Sequence, residues 1–266
     1  MQTTILIAAR NARATIERAV ASACCELSCP LVLVDDHCTD DTVPRARAVA
    51  GDRLRVVRAP DPGGIPLARQ AGLDAVETEF AAWLDADDEW LPGRAARLGS
   101  MLAAGADVAG ETIDLHDGAN SCFVRRMPIP EFLRRRAVPT LLFERNYLPG
   151  DTQVAFRAAV FRETGGYDPA VYGVESFDLL LRAMVRGARF RFGCEAGYRM
   201  YAYPQSVSRN LARQRAALVT ALRKHDYERV RLLCLAAGES ARVAAWVLVS
   251  MALFRDEPAA ALQFID

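Results

Sequence analysis

The sequence predicts an α/β fold in which a mostly parallel central sheet is flanked by helices. Three observations support this prediction. The first hundred residues alternate short apolar runs with segments of helical periodicity. The runs have the length and composition of strands that are buried on both faces. Three of them end in polar clusters that should converge on one rim of the sheet: Arg10-Asn11, Asp35-Asp36 and Asp85-Ala86-Asp87-Asp88. Such an alternation favours right-handed crossovers and places ligands at the carboxyl ends of the strands.

Four strands and four helices are predicted before residue 105. The strands are expected at residues 4–9, 31–34, 54–57 and 80–84, and the helices at 12–25, 40–50, 66–76 and 91–103.

From about residue 108 the alternation gives way to a mixed pattern. Strands are expected at 108–115, 121–125, 154–156, 190–192 and 198–203, with a helix at 175–186. Everything beyond residue 204 has helical character. We therefore divide the chain into an α/β domain at 1–203, with halves at 1–105 and 106–203, and a C-terminal helical region at 204–266.

Composition excludes several classes of protein. Lys plus Arg and Asp plus Glu both number 33, so no net charge favours nucleic acid or an anionic membrane. Seven cysteines without a paired framework indicate reduced thiols in a cytoplasmic protein. The N-terminus does not have the pattern of a signal peptide.

The longest apolar run, at 243–254, is shorter than the roughly 20 residues that span a bilayer. It fits a buried helix or a homodimer contact, with peripheral contact at the inner face of the membrane as the alternative.

Three carboxylates, Asp85, Asp87 and Asp88, follow the fourth strand within four residues. Their mutual repulsion near an apolar core is relieved by a cation, and oxygen ligands suit Mg²⁺ or Mn²⁺. On an extended segment Asp85 and Asp87 share one side, and Asp88 turns away. A metal held by one or two carboxylates keeps positions open for a diphosphate.

Two further strand ends carry candidate binding groups. Asp35 and Asp36 close the second strand, where a carboxylate can accept hydrogen bonds from a base imide or from ribose hydroxyls. Gly63-Gly64 opens a helix that carries Arg69 one turn in, and helix N-termini and arginine both favour anions. The segment matches neither a dinucleotide-binding nor a P-loop pattern.

Together these segments resemble the family 2 glycosyltransferases, which have the Rossmann-like GT-A fold. The resemblance rests on residues 5–11, 33–42, 63–64, 68–72 and 83–92, and continues at 156–157, 165–168 and 175–179.

The resemblance implies a metal-assisted, inverting transfer of sugar from a nucleotide-sugar donor to an acceptor that contains sugar or is lipid-linked. Mn²⁺ or Mg²⁺ is the implied cofactor. The implied nucleotide-sugar ligands are Ala8, Arg10, Asp35, Asp36, Arg69, Asp85 and Ala86, and the implied metal ligand is Asp87.

The chain departs from the family pattern most clearly at the general base. Inverting members carry it as the second residue of a Glu-Asp pair at a helix start, and this chain has Glu175-Ser176. A serine hydroxyl is no base near neutral pH without a helper. Glu175 is the first candidate for the role and Asp178 the second. Asp151 or Asp168 could instead supply the carboxylate from a loop, or the protein binds the donor without efficient transfer.

Other basic groups and one histidine offer weaker hypotheses. Arg209, Arg213 and Arg215 could close over the diphosphate, and the basic run at 134–136 could meet an acidic acceptor. His225 is a minor candidate for a metal ligand. Trp90 and Trp246 are both expected in the core.

Overall fold

The computed structural model describes residues 2–136, 148, 150–204 and 211–264. Its described strands form one nine-stranded sheet in the order β3-β2-β1-β4-β8-β6-β9-β5, with β7 paired to β6. The strands are β1 (Thr3–Ala9), β2 (Leu31–Asp35), β3 (Leu54–Arg58), β4 (Phe80–Asp85), β5 (Glu89–Trp90), β6 (Val108–Asp117), β7 (Phe123–Met127), β8 (Val154–Arg157) and β9 (Phe190–Ala202).

Helices connect the strands and continue beyond the sheet. They are α1 (Ile16–Cys24), α2 (Thr42–Ala50), α3 (Ile65–Asp74), α4 (Arg94–Ala103), α5 (Glu131–Arg136), α6 (Ala158–Glu163), α7 (Glu175–Val185), α8 (Leu211–Arg223), α9 (Tyr227–Ala236), α10 (Ala241–Phe254) and α11 (Pro258–Leu262). No helix of the described residues combines the length and apolarity needed to cross a bilayer.

The sheet is buried on both faces because alternate residues of its strands point to opposite sides. On β1, Ile5 and Ile7 belong to an apolar cluster with residues of α1, α2 and α4. Leu6 belongs to a second cluster with residues of α3, α6 and α7. That second cluster continues into α9 and α10, so the C-terminal helices pack on the α7 side of the sheet.

The predicted α/β class is confirmed, and the sheet is mixed, with parallel pairs among β1 to β4 and between β6 and β9. β1 to β4 pair in parallel, whereas β8 pairs antiparallel with both β4 and β6. The cysteines are free thiols, as expected.

Two predicted elements and the predicted burial of one tryptophan differ from the structure. Helix α4 begins at Arg94 rather than at 91, because Trp90 pairs with β9 and the Leu91 N–H donates to the Gly197 carbonyl at 2.9 Å. β9 is one continuous strand rather than two, because β6 pairs along its length across two bulges. Trp246 is 60% exposed on α10, so its predicted place in the core is wrong, whereas Trp90 is buried as expected.

Candidate donor and metal site

The polar ends of β1, β2 and β4 converge on one rim of the sheet. β1 lies between β2 and β4, with Ala8 opposite Asp85 and Ala9 opposite Asp35. The Asp36 N–H donates to the Ala9 carbonyl at 2.9 Å, which continues this alignment past the last strand residue. The predicted convergence of the three strand ends is therefore confirmed.

Asp36 is held at this rim by the turn that opens α3. Its side chain is buried, and Oδ1 accepts the Gly64 N–H at 2.8 Å. Gly63 has a φ of +79°, and a methyl group there would lie 2.4 Å from the same oxygen. The other oxygen lies 3.7 Å from Nη1 of Arg10, whose side chain is 57% exposed. The turn therefore requires glycine and orients Asp36 with one oxygen toward Arg10.

Asp35 is engaged within its own loop. Its Oδ1 accepts the Cys38 N–H at 2.8 Å, and its Oδ2 lies 3.2 Å from Nη1 of Arg58. Of the two adjacent carboxylates, Asp36 is thus the better placed for a ligand.

Asp85 occupies the end of β4 with its carboxylate 41% exposed. Its N–H donates to the Tyr198 hydroxyl at 3.0 Å, and Oδ1 receives Nη2 of Arg69 at 2.9 Å. Partial burial raises the pKa of Asp85, and Arg69 opposes that rise. Ala86 follows as a buried residue of the turn.

Arg69 lies behind the rim and bridges two carboxylates. It is 6% exposed, and Nη1 lies 2.9 Å from Oδ1 of the buried Asp151. The guanidinium sits over the Trp83 ring at 4.8 Å. Burial disfavours the charge of Arg69, but Asp151 and Asp85 hold its pKa above the ordinary value. Since both terminal nitrogens face carboxylates, this geometry supports a role in placing Asp85 rather than the expected direct hold on the nucleotide.

Asp87 and Asp88 differ sharply in their surroundings. Residues 86–87 form a turn in which the Asp88 N–H donates to the Asp85 carbonyl at 3.1 Å, and not the extended segment on which the prediction for Asp88 rested. Asp88 is buried and accepts hydrogen bonds from the Tyr198 hydroxyl and the Tyr201 N–H, both at 2.8 Å. Among the described residues, no other residue donates to the Asp87 carboxylate, although Arg18 donates to its backbone carbonyl. Burial first, and then the charge of Asp85, raise the pKa of Asp87 to about 6. Asp88 therefore anchors the turn, and Asp87 has free oxygens in a site that favours a cation.

The residues present supply two of the ligands that a divalent metal needs, and water or phosphate oxygens would supply the rest. Within the described part of the chain, no three His, Cys, Asp or Glu side chains are arranged to hold a metal by themselves. Asp85 and Asp87 supply two carboxylates with raised pKa values. Mg²⁺ and Mn²⁺ accept one or two protein carboxylates together with phosphate oxygens and water, which matches this arrangement.

The candidate bases on α7 are placed very differently from one another. Glu175 is 6% exposed and accepts the Gly173 N–H, and burial raises the pKa of its carboxyl. Asp178 is completely buried and lies 2.7 Å from both Arg182 and Lys224. Its expected position facing the cleft is not supported, because these two cations enclose it between α7 and α8.

The carboxylates of the loop candidates, Asp151 and Asp168, also form ion pairs that stabilise the fold. Asp151 is 1% exposed beneath Arg69, and Asp168 caps a short 3-10 turn and lies 2.6 Å from Lys224. Among the four proposed carboxylates, Glu175 remains the one without an ion pair among the described residues.

The C-terminal arginines are only partly described. Arg213 lies over the Tyr172 ring at 3.7 Å, and a methyl group on Gly64 would lie 3.5 Å from that ring. Arg215 pairs with Asp256 on the surface. Arg209 and the side chains of residues 135 and 136 lie outside the described residues. His225 is buried between α8 and α9.

Sequence reasoning missed the groups that brace the acidic turn. Tyr198 bonds both Asp85 and Asp88, Tyr167 bonds Asp151, and Arg18 bonds the Asp87 carbonyl. Each comes from a segment remote in the chain, and no local spacing marks it.

Comparison with known proteins assigns the family. The model of glycosyl transferase family 2 matches residues 4–164. The chain is 32% identical over 224 residues to succinoglycan biosynthesis protein ExoU of Rhizobium meliloti, covering 77% of this chain and 63% of that protein. It is 27% identical over 203 residues to pre-mycofactocin glycosyltransferase of Mycobacterium tuberculosis, covering 71% of this chain and 40% of that protein. The chain thus spans less than two thirds of the length of these relatives.

A solved structure shows the fold. The crystal structure of S. aureus TarS 1-349 in complex with UDP-GlcNAc matches with a TM-score of 0.69 at 14% identity, covering 100% of this chain and 80% of that one. The shared architecture is the GT-A fold. Since the family model covers more than half of the residues, the chain belongs to glycosyltransferase family 2.

Proposed function

We propose that this protein transfers a sugar from a nucleotide-diphosphate-sugar donor to an acceptor hydroxyl. The observation that carries the proposal is the convergence of Asp36, Asp85 and Asp87 on one rim beside a glycine turn. Carboxylates at the ends of adjacent parallel strands lie where α/β proteins bind ligands.

The donor would lie across the ends of β1, β2 and β4. Asp36 would face the base or ribose, with Arg10 and the backbone at Ala8 beside it. Arg213, stacked on Tyr172 near the start of α3, supplies a cation for the diphosphate. The TarS complex with UDP-GlcNAc supports a nucleotide-sugar as the class of donor.

Asp87 and Asp85 would hold a divalent metal together with the donor diphosphate. A bound Mn²⁺ or Mg²⁺ would neutralise charge on the leaving diphosphate. The chain itself contributes two carboxylates whose pKa values are raised by burial first and by a neighbouring carboxylate second, and Tyr198 and Arg69 keep Asp85 in place.

Glu175 is the residue that we assign as general base. Burial raises the pKa of its carboxyl, which makes the carboxylate a stronger proton acceptor. The competing carboxylates Asp151, Asp168 and Asp178 are committed to Arg69, Lys224 and Arg182. Attack on the face of the sugar opposite the diphosphate would invert the configuration.

The acceptor is proposed to be a glycan or a lipid-linked sugar that enters over residues 106–203. Two relatives carry names for succinoglycan biosynthesis, and a third is named for glycosylation of a mycofactocin precursor. These names support a sugar acceptor in broad terms.

Ser176 favours a second candidate function, the binding of a nucleotide-sugar without efficient transfer. It occupies the second position of the motif in which family members carry a carboxylate, and its hydroxyl is no base by itself near neutral pH.

A screen of nucleotide-sugars by thermal shift, with and without Mn²⁺, tests donor binding, because a ligand of the folded state raises its apparent stability. We expect one donor class to raise the unfolding temperature, and more so with Mn²⁺. Hydrolysis of that donor then separates the two candidates, since measurable turnover excludes the binding-only function. Absence of any stabilising nucleotide-sugar would contradict both.

A further inference from the structure

A buried chain of polar groups runs beneath the acidic turn. Oδ1 of Asp85 meets one end of the Arg69 guanidinium at 2.9 Å, and Asp151 meets the other end at 2.9 Å. The Tyr167 hydroxyl donates to Asp151, and the Trp83 indole N–H donates to that hydroxyl at 2.7 Å.

The two carboxylates on Arg69 have different access to solvent. The Asp85 side chain is 41% exposed at the rim, whereas that of Asp151 is 1% exposed. Asp151 is therefore out of reach of a ligand at the rim, and its contact with the site is through Arg69.

The charges of the groups in and around this buried chain of polar groups do not balance. Four carboxylates, Asp85, Asp87, Asp88 and Asp151, lie in the turn or beneath it. Among the described residues two cations contact these four residues: Arg69 pairs with Asp85 and Asp151, and Arg18 donates to the Asp87 carbonyl. Two negative charges are left over, which is the charge that a divalent cation neutralises. If Asp151 were neutral, Arg69 would cancel Asp85 alone and only one negative charge would remain.

We propose that Asp151 is a positioning residue that divides the charge of Arg69 and so keeps Asp85 able to bind a divalent cation. This inference rests on the proposed metal-assisted function. Asp151 orients the guanidinium so that a single nitrogen reaches Asp85, and the second Asp85 oxygen stays free. Partners of this outer kind commonly change metal affinity by about 10- to 100-fold.

Binding of Mn²⁺ alone, measured from the free-ion signal in electron paramagnetic resonance, tests the proposal on the full chain. We expect Asp151→Asn to weaken Mn²⁺ binding by about 10- to 100-fold. The amide is nearly isosteric, and circular dichroism and the unfolding midpoint would verify that the variant is folded.

Two further variants separate charge from structure. Tyr167→Phe keeps the charge of Asp151 and removes one hydrogen bond, so it should weaken Mn²⁺ binding far less than Asp151→Asn does. Asp107→Asn removes another buried carboxylate, one paired with Arg157 and Arg189 near the opposite end of β4, and should leave Mn²⁺ binding unchanged.

The outcomes distinguish the inference from the proposed function. The positioning role of Asp151 is wrong if folded Asp151→Asn binds Mn²⁺ as the wild type does, or if Asp107→Asn weakens binding equally. Neither result contradicts the proposed metal site itself. If the wild type takes up no Mn²⁺, the proposed metal assistance falls and the inference with it.

Discussion

The donor side and the acceptor side of the proposed cleft place their carboxylates by different means. On the donor side, Asp36, Asp85 and Asp87 lie at the ends of β2 and β4, the two parallel strands that flank β1, and all three come to one rim. On the acceptor side, Glu175 and Asp178 share the first turn of α7, yet one accepts a backbone N–H and the other is sealed between two cations.

This difference shows which arrangements follow from chain order. The carboxyl ends of neighbouring parallel strands meet at one edge of the sheet, so position along the chain is enough to bring their side chains together. The surroundings of a side chain on a helix depend on which element packs against it. On α7 that element is the C-terminal end of α8, where Lys224, the residue after the helix, bonds Asp178.

Asp87→Ala should have the largest effect and tests the donor side directly. Loss of the carboxylate with free oxygens should reduce metal-dependent turnover of the nucleotide-sugar by roughly 1000-fold, about 4 kcal/mol of transition-state stabilisation. The measurement is kcat/KM at saturating Mn²⁺. Asp61→Ala is the control, because that side chain is 95% exposed. Undiminished turnover in Asp87→Ala would refute the metal assignment.

Glu175→Gln tests the acceptor side. We expect kcat to fall by about 100-fold or more, with donor affinity nearly unchanged, because the amide cannot take the acceptor proton. Steady-state kinetics with varied donor separates the two parameters. Asp178→Asn, which removes a partner of Arg182 and Lys224, should instead lower the free energy of unfolding, by about 3 kcal/mol. A larger loss of kcat in folded Asp178→Asn than in Glu175→Gln would reverse the assignment.

The acceptor-side helices should also make stability depend on pH through His225. Burial lowers the pKa of this group to about 4 from an ordinary 6.5. The unfolded chain therefore takes up a proton at a pH where the folded chain does not. The stabilisation is complete above pH 6.5 and is lost as the pH falls toward 4, by up to roughly 3 kcal/mol.

Urea unfolding at several pH values, compared between wild type and His225→Gln, isolates that contribution from those of the carboxylates. The difference between the two proteins should change between pH 7 and pH 4. A constant difference would show that His225 does not titrate differently in the two states.

Gly63→Ala should give the smallest effect, and it tests whether the glycine turn on the donor side contributes to nucleotide-sugar binding. The added methyl would lie 2.4 Å from Asp36 Oδ1, so we expect nucleotide-sugar binding to weaken about tenfold, or 1.4 kcal/mol. Gly51→Ala is a matched control, since its φ is also positive and nothing lies within 4 Å. Both variants should lose about 1–2 kcal/mol of stability from backbone strain. Equal donor affinity of the Gly63→Ala and Gly51→Ala variants would show that Gly63 does not contribute to the donor site.

Much of the fold and part of the site could be predicted from local pattern. The strands β1 to β4 were expected within one or two residues of where they lie, because runs buried on both faces are continuously apolar. The prediction that Asp88 turns away agrees with its burial, but the cause is the turn at residues 86–87 and not the two-residue period of extended chain. Helix α6 and the short strand β5 were missed, since each is brief and depends on a distant partner.

By itself, the sequence determined the order of strands and helices, the polar rim with its glycine turn, and the membership in a family of glycosyltransferases. Only the tertiary structure decided which charged groups form ion pairs that stabilise the fold and which remain available for a ligand. Arg69 forms ion pairs with both Asp85 and Asp151, and the buried Asp178 forms one with Lys224. The physical reason is that a charge finds its partner through space. Arg69 and Asp151 are 82 positions apart in the chain, and Asp178 and Lys224 are 46 apart, so these pairs come into contact only when the sheet and the C-terminal helices have packed.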